Sequence, residues 1–349
     1  MTLSFIGVMV IGSARESVQR RQIFGLVLGA IMMLIISVIN YAWILRFYWL
    51  IYGLNIVLLI SVSLFGTGNG AKRWLDFGFT TFQPSELSKF MLILFFAKFI
   101  MNYEESLNEP KTILKAVGLL IPPTALIFLQ PDLSTMLSIV LVFCVLLYIG
   151  GLSYKIIGTI LLILIPVTII FLSIVVRPDQ PFLKDYQQRR VLAFLYPEQY
   201  DDTAYQQKNS VIAIGSGQLS GKGLNNNTTT SLKNGNYISE PQTDFIFTIV
   251  GEELGFIGCC TIIGLQLLIV IQCILIAWKS VDTAGRIIGT GVAAQIGIQS
   301  FINISVATGI MPNTGIPLPF VSYGLTSLVS FMIGIGLVLN VGLQPKKHK

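Results

Sequence analysis

Charge is scarce in this sequence. Of its 349 residues, 11% are Asp, Glu, Lys or Arg, where soluble globular domains carry roughly a quarter. So few charges could not cover the about two or three soluble domains that such a length would otherwise suggest. Histidine is nearly missing. The single one, His348, sits in a Lys-Lys-His-Lys tail, which excludes a catalytic imidazole and a histidine metal site. The four cysteines, Cys144, Cys259, Cys260 and Cys273, lie inside apolar runs without ligand spacing. They read as small hydrophobes packed against neighbouring helices rather than as redox or zinc residues. What is abundant is apolar: 53% of residues are hydrophobic and the mean hydropathy is +0.75. This composition excludes a secreted mini-protein and a disordered chain and indicates an integral membrane protein.

A spanning helix takes about 20 mostly apolar residues. Runs of that kind occupy 22–39, 47–65, 88–102, 114–130, 133–150, 156–176, 254–276, 286–308 and 326–343, with a shorter one at 2–12. The expected fold is an all-α polytopic membrane protein, a single domain over 1–349. It has about ten transmembrane helices and one large extracytoplasmic loop, 177–244, between helices 7 and 8. Segment 88–102 needs its flanks to reach across. The run 2–12 has no basic n-region and no cleavage site, so it reads as a clipped first helix rather than a signal peptide.

Net charge is +6, and the basic residues cluster beside apolar segments, a placement that suits lipid headgroups rather than nucleic acid. Short-loop charges (Arg46, Lys111, Lys115, Lys155, Lys279, Arg286 and the tail lysines) put both termini in the cytoplasm. The opposite face then holds 13–21, 66–87, 177–244 and 309–325. Arg15, Arg20 and Arg21 violate the rule there, which reads either as an anionic ligand's site or as a weak topology signal. The stretch Gly215-Ser-Gly-Gln-Leu-Ser-Gly-Lys-Gly223 fails as a phosphate loop. Ser216 stands where the first glycine belongs and Gly223 where the hydroxyl belongs. The sequons at 225–230 carry no weight without knowledge of the cell type.

Ionisable side chains near membrane depth are costly and by default mark function. Four stretches stand out, all at outer helix ends. In the first, Lys72-Arg-Trp-Leu75 precedes Gln83-Pro-Ser-Glu-Leu-Ser-Lys89. Pro84 and Ser85 can start a helix, which puts Glu86 and Lys89 on one face at i,i+3. A helix-start salt bridge explains that pair as well as a site does, and Lys72, Arg73 and Trp74 serve equally as an interfacial anchor. In the second, Gln130-Pro-Asp-Leu-Ser-Thr135, Asp132 makes a plausible N-cap. In the third, a cap would account for Asp244 alone, but not for Glu240, Asp244, Glu252 and Glu253 together. The fourth, 309–324, contains Pro312, Pro317 and Pro319. Irregular backbone near membrane depth persists only when buried in protein or lining a wet cavity, so this loop reads as structural.

In this order the four blocks resemble the SEDS family (RodA, FtsW and SpoVE), the polytopic polymerases of bacterial cell-wall synthesis. The motifs that carry the resemblance are those of the first two stretches, with Ala213-Ile-Gly-Ser-Gly, Thr243-Asp-Phe-Ile-Phe, Gly251-Glu-Glu-Leu-Gly and Pro317-Leu-Pro-Phe-Val-Ser-Tyr-Gly. The similarity runs from Ser13 to Pro345. Three departures accompany it: a truncated first helix, Ser134 where the family has glycine, and Leu325 in place of the second glycine of Ser-Tyr-Gly-Gly.

The resemblance implies glycosyl transfer from lipid II, the undecaprenyl-pyrophosphate-linked disaccharide peptide, at the bacterial cytoplasmic membrane. A class B penicillin-binding transpeptidase is the implied partner. The family's catalytic acid falls on Asp244, its cavity acid and lysine on Glu86 and Lys89, and a further functional acid on Asp132. Residue chemistry agrees. A sugar hydroxyl needs a base within hydrogen-bond reach, and without a usable histidine a carboxylate must serve. Cations aimed at the leaving pyrophosphate lower the barrier: Lys72, Arg73, Lys89 and one of Arg20 and Arg21. Ser322 joins the substrate-binding set. No metal ligand set or resident cofactor stands out, although a divalent cation, Mg or Mn, could sit on Glu86 or Asp132. Two other classes stay open. A lipid II flippase needs access from both faces, and a non-catalytic transpeptidase scaffold would not need Asp244 and Glu86 both intact.

Overall fold

The structure is a computed structural model that describes residues 1–67, 72–78, 80–177, 185–225 and 240–344. The Asn/Thr tract at 226–230 and the basic tail with His348 lie outside these residues. The chain is mostly helical: α1 (Thr2–Ala14), α2 (Glu16–Val38), a short α3 (Tyr41–Ile44), α4 (Tyr48–Phe65), α5 (Pro84–Asn102), α6 (Pro110–Leu129), α7 (Leu133–Ile149), α8 (Tyr154–Val175), α9 (Asp185–Leu195), α10 (Asp201–Ser216), α11 (Ile246–Trp278), α12 (Thr283–Ala307) and α13 (Leu325–Leu343). A hairpin of β1 (Leu75–Asp76) and β2 (Thr81–Phe82) pairs antiparallel between α4 and α5.

Every apolar run marked in the sequence is helical. Six helical stretches among the described residues are long and apolar enough to cross a membrane: Glu16–Val38, Tyr41–Phe65, Pro110–Leu129, Ile246–Trp278, Thr283–Ala307 and Leu325–Leu343. Large apolar side chains such as Leu50, Leu64, Leu114, Leu267 and Trp278 stay exposed on them, the outward surface of a bundle solvated by lipid. The protein is a multi-pass membrane protein.

The inner layer is α5 with α7, α12 and α13. α5 starts four residues earlier than its apolar run, with Pro84 in the first turn, where a missing N–H costs nothing. Nearly its whole circumference is buried, Phe90, Phe95, Phe96 and Phe99 included. A helix apolar all round belongs at the centre of a bundle.

The segment 177–244, marked as a loop in the sequence, carries two helices. On α9 the side chains of Gln187, Gln188, Leu192 and Ala193 are buried, and the Gln188 amide donates to Val175 O (2.9 Å) and Arg177 O (2.7 Å) at the end of α8. Its amphipathic pattern was hidden by its polarity. Beyond α10, the glycine-rich stretch docks on α11, which is kinked at Gly255. Lys222 N donates to Glu252 O and Gly223 N to Glu253 O, both at 3.0 Å. A Cβ on Gly217 would stand 1.9 Å from Gly251 O, so only glycine permits this approach. The Lys222 ammonium pairs with Glu252 at 2.9 Å, and Ser13 donates to Glu253 at 2.5 Å. Two of the three acids near Asp244, Glu252 and Glu253, are thus packing residues. The cysteines need a correction as well. Cys259 and Cys273 are buried, but Cys144 and Cys260 lie on the exposed surface, because they sit on outward faces of α7 and α11.

Candidate active site

The four segments assigned to the outer face converge on one cavity of about 870 Å³, within the ~300–1,000 Å³ range of small-molecule sites. Its wall takes Arg20 and Arg21 from α2, Arg73 and Trp74 ahead of β1, and Glu86 from α5. Asp132 comes from the start of α7, Arg190 from α9, Glu240 and Asp244 from the turn before α11, and Gly315 and Pro317 from the proline-rich loop. Phe24 and Leu325 add an apolar lip where α2 meets α13.

Asp244 is held by its backbone. Asn303 of α12, 1% exposed, donates to Asp244 O (2.8 Å) and to Ile316 O (2.7 Å). The Ser322 hydroxyl donates to Thr243 O (2.6 Å) and accepts from Leu318 N (2.7 Å). Tyr323 N donates to Gln242 O at 2.8 Å. Buried amides also hold the proline-rich loop: Gln299 donates to Pro317 O (2.9 Å) and Gln266 to Pro319 O (2.7 Å). Ser134, the residue in place of a glycine, donates to Thr314 O at 2.8 Å. The loop is scaffolding, as its prolines suggested. It clamps the turn that carries Asp244.

The cap of α11 is Phe245, with no side-chain cap bond, so the Asp244 carboxylate is not spent on a helix N-terminus. It faces the cavity. Its pKa is raised from 3.8 to about 6, first by burial; Arg190 and then Arg73 oppose the rise, and Glu240 and Asp132 add to it. Burial in turn lowers the pKa of Arg190, which Asp244 partly restores. A carboxylate poised near neutrality in a cleft has the range of a general base.

Asp132 does what its position suggested. Its Oδ1 accepts from Thr135 N at 3.2 Å as the α7 cap, while its Oδ2 takes the Gln83 amide at 3.4 Å. Arg73 binds the same corner. Its Nε donates to Gln130 O (3.3 Å), its Nη2 to Pro131 O and to the Tyr186 hydroxyl (3.3 Å), and its Nη1 stands 4.0 Å from Asp132. Glu86 and Lys89 form a 2.7 Å ion pair, both almost fully buried. The Lys89 ammonium also donates to Gln299 Oε1 at 2.9 Å.

Comparison with known proteins decides what kind of cavity this is. The family model described as "Cell cycle protein", which groups FtsW, RodA and SpoVE, matches residues 1–347. The chain belongs to this family. It is 36% identical to the peptidoglycan glycosyltransferase MrdB of Escherichia coli K12 over 301 residues, 85% of this chain and 78% of that protein. It is 34% identical over 286 residues to a probable peptidoglycan glycosyltransferase FtsW of Geobacter sulfurreducens, 80% and 72% of the respective chains. Among solved structures, it is similar to a chain from a study of the structural coordination of polymerization and crosslinking by a peptidoglycan synthase complex. The TM-score there is 0.82 at 28% identity, covering 98% of this chain and 94% of that one. The rod-shape-determining RodA of Thermus thermophilus matches at TM-score 0.70 and 26% identity, with 98% and 93% covered.

Within this FtsW/RodA/SpoVE fold, the sequence candidates separate. Asp244, Glu86, Asp132, Arg73 and Arg21 share the cavity wall. Lys89 lies behind Glu86 in the bundle, its ammonium directed to Gln299. Lys72 is exposed and off the wall, and Ser322 is spent on the backbone beside Asp244. Sequence reading missed Arg190 and Tyr186 of α9 as site residues. They lie at i,i+4 and so share a helix face, a signal visible only once 185–195 is taken as a helix.

Proposed function

We propose that the chain is a peptidoglycan glycosyltransferase that polymerises lipid II on the outer face of the bacterial cytoplasmic membrane, with Asp244 as general base. The observation that carries this reading is a half-buried acid, raised toward neutrality, on a cavity wall that also bears Arg20, Arg21, Arg73 and Arg190.

In this reaction the acceptor sugar's hydroxyl oxygen attacks the donor's anomeric carbon. Asp244 accepts the hydroxyl proton as the new C–O bond forms. The bond from the anomeric carbon to the pyrophosphate oxygen breaks, and the departing lipid pyrophosphate gathers negative charge. Arg20 and Arg21, on the α2 side of the wall, stabilise that charge. Phe24 and Leu325 offer the apolar side on which an isoprenoid tail can lie. Glu86 is the second cavity acid and contacts the sugar or its peptide. Among the described residues no three His, Cys, Asp or Glu side chains come together as a metal cage. A Mg or Mn ion, if the reaction uses one, would sit on Glu86 or Asp132, the two acids of the wall nearest α5 and α7.

Ten spans, both termini in the cytoplasm and an outer 177–244 segment complete the proposal, supported by the convergence of all four outer segments on one cavity. A class B penicillin-binding transpeptidase is the proposed partner, supported by the crosslinking activity of the similar synthase complex. A flippase would need a route through the bundle, whereas Lys89, Phe90, Phe96 and Phe331 on α5 and α13 are almost fully buried. The test is to incubate purified protein, with and without the transpeptidase, with lipid II and resolve glycan strands on a gel. Strands support the reading; if lipid II stays intact in both, the reading fails.

A further inference from the structure

Arg73 has its donors committed. They go to Gln130 O, Pro131 O and the Tyr186 hydroxyl, with Asp132 alongside. Arg190 is different. Its guanidinium carbon lies 5.8 Å above the Tyr186 ring, and Tyr186 is fixed in turn by donating to Pro131 O at 2.8 Å. Among the described residues no hydrogen bond takes its fork. Gly315 shows where that fork points. A Cβ there would sit 3.4 Å from Arg190 Nη1 and 3.4 Å from Asp244 Oδ2. Guanidinium and carboxylate thus flank one residue, whose φ of +70° favours glycine.

The charges around Asp244 come from every neighbouring element. Arg190 stands on α9, Arg73 before β1, Asp132 at the start of α7 and Glu240 in its own turn. Arg20 and Arg21 of α2, Asp76 of β1 and Glu86 of α5 stand further round the wall. From α12 and the proline-rich loop it meets only uncharged groups, Asn303 and Gly315. Two acids oppose two bases in the inner ring, and of the two bases Arg190 has the fork that no hydrogen bond takes among the described residues.

We propose that Arg190 is a positioning residue for the glycosyl transfer: from α9 it aims the Asp244 carboxylate across Gly315 and holds it in the proton-accepting form. The proposal rests on Asp244 being the base. α9 is tied to the end of α8 through Gln188 and to the turn between α6 and α7 through Tyr186, so this segment is a working part of the site rather than a connection. An opposite charge within about 4–6 Å of a carboxylate favours its ionised form by 1–3 pH units, enough to decide its state at neutral pH.

The experiment is polymerisation of lipid II across pH 5 to 9 by the purified protein with its transpeptidase partner. The variants are Arg190→Gln and Arg190→Lys. A second readout on the same samples is the pH at which a carbodiimide, which modifies protonated carboxyls, labels Asp244 by mass spectrometry. Removing the positive charge should move the acid limb of the rate profile and the labelling midpoint upward together, by about one pH unit. Much of the lost rate should return at high pH, with little change in KM for lipid II. Arg190→Lys keeps the charge and should hold both midpoints near wild type. A rate lowered by the same factor at every pH, or a raised KM with an unmoved limb, makes Arg190 a substrate or structural contact and overturns the proposal. An unmoved labelling midpoint in a folded Arg190→Gln protein overturns it too. Failure of the underlying reading looks different. Asp244→Asn protein would then polymerise like wild type, whatever Arg190 variants do.

Discussion

Asn303 holds Asp244 from behind, its single amide nitrogen donating both to Asp244 O at 2.8 Å and to Ile316 O at 2.7 Å. One side chain of α12 therefore fixes the proposed base and the proline-rich loop together. Asn303→Leu removes the donor for two backbone carbonyls. Each buried polar group left unpaired costs about 1–3 kcal/mol. The variant should melt clearly earlier than wild type and lose polymerisation, while Asn303→Gln, which keeps an amide, loses less stability. An unshifted melting curve for the Leu variant would show that other groups hold the turn.

The wall of the cavity also distinguishes neighbours in sequence. Arg73 lines it, and Lys72 is exposed outside it. Arg73→Ala should lower polymerisation by about tenfold or more, the worth of one hydrogen bond to a charged group, ~1.5–3 kcal/mol. Lys72→Ala should stay within about twofold, as a solvated charge does. Gel assays on both variants check this, and equal losses would argue against a cavity role particular to Arg73.

The buried Glu86–Lys89 pair calls for single and double replacement. Removing one partner of a buried pair costs about 3–5 kcal/mol, because the other charge is stranded. Glu86→Gln and Lys89→Met should each lower the thermal midpoint in detergent, and the double variant should recover most of it. Activity should not recover with the fold, because Glu86 lines the cavity. A double variant that folds and polymerises fully would leave the pair a structural role only.

Much of this arrangement was legible in the sequence, and the reasons differ by residue. Asp132 and the Glu86–Lys89 pair are local features: a cap is decided within three residues and an ion pair within one helical turn. Asp244 stood out because an acid at the edge of an apolar run is costly without a purpose. Arg190 and Tyr186 did not stand out. They belong to an eleven-residue helix of low hydropathy, whose face is defined only by distant partners, Pro131 and Asp244. Asn303 and Gln299 were hidden for the opposite reason: a single amide in an apolar span carries no periodic signal, and its meaning lies in carbonyls contributed by the 309–324 loop. Lys72 and Lys89 could not be told apart in the sequence, because charge counts equally there whether it faces the cavity, the bundle or the solvent.

Orientation in the membrane is checked by labelling. With a cysteine-free background, Leu219→Cys lies on the proposed outer side and Tyr154→Cys on the inner, both at exposed positions. An impermeant thiol reagent applied to intact spheroplasts should modify position 219 and spare 154 until the cells are opened. The reverse pattern would invert the orientation and move the cavity to the cytoplasmic face.

Asp244→Asn separates catalysis from folding by opposite signs. The folded pKa of Asp244 is raised to about 6, so the native state binds a proton more tightly than the unfolded chain, whose carboxyl has a pKa near 3.9. Stability is therefore lost as pH rises from about 4 through 6, and the charged form is a burden above that. Asparagine is neutral at every pH and escapes the burden. The variant should melt later than wild type at pH 7.5, and the difference should shrink as pH falls through 6 and vanish near 4. Without a proton acceptor its polymerisation should fall by about 10²–10⁴-fold, with lipid II binding little changed. Thermal denaturation at three pH values and a gel of lipid II products measure both. A variant that is more stable and inactive is the signature of a strained catalytic acid. A variant less stable at pH 7.5, or one that polymerises at the wild-type rate, would make Asp244 a structural residue and remove the base from the mechanism.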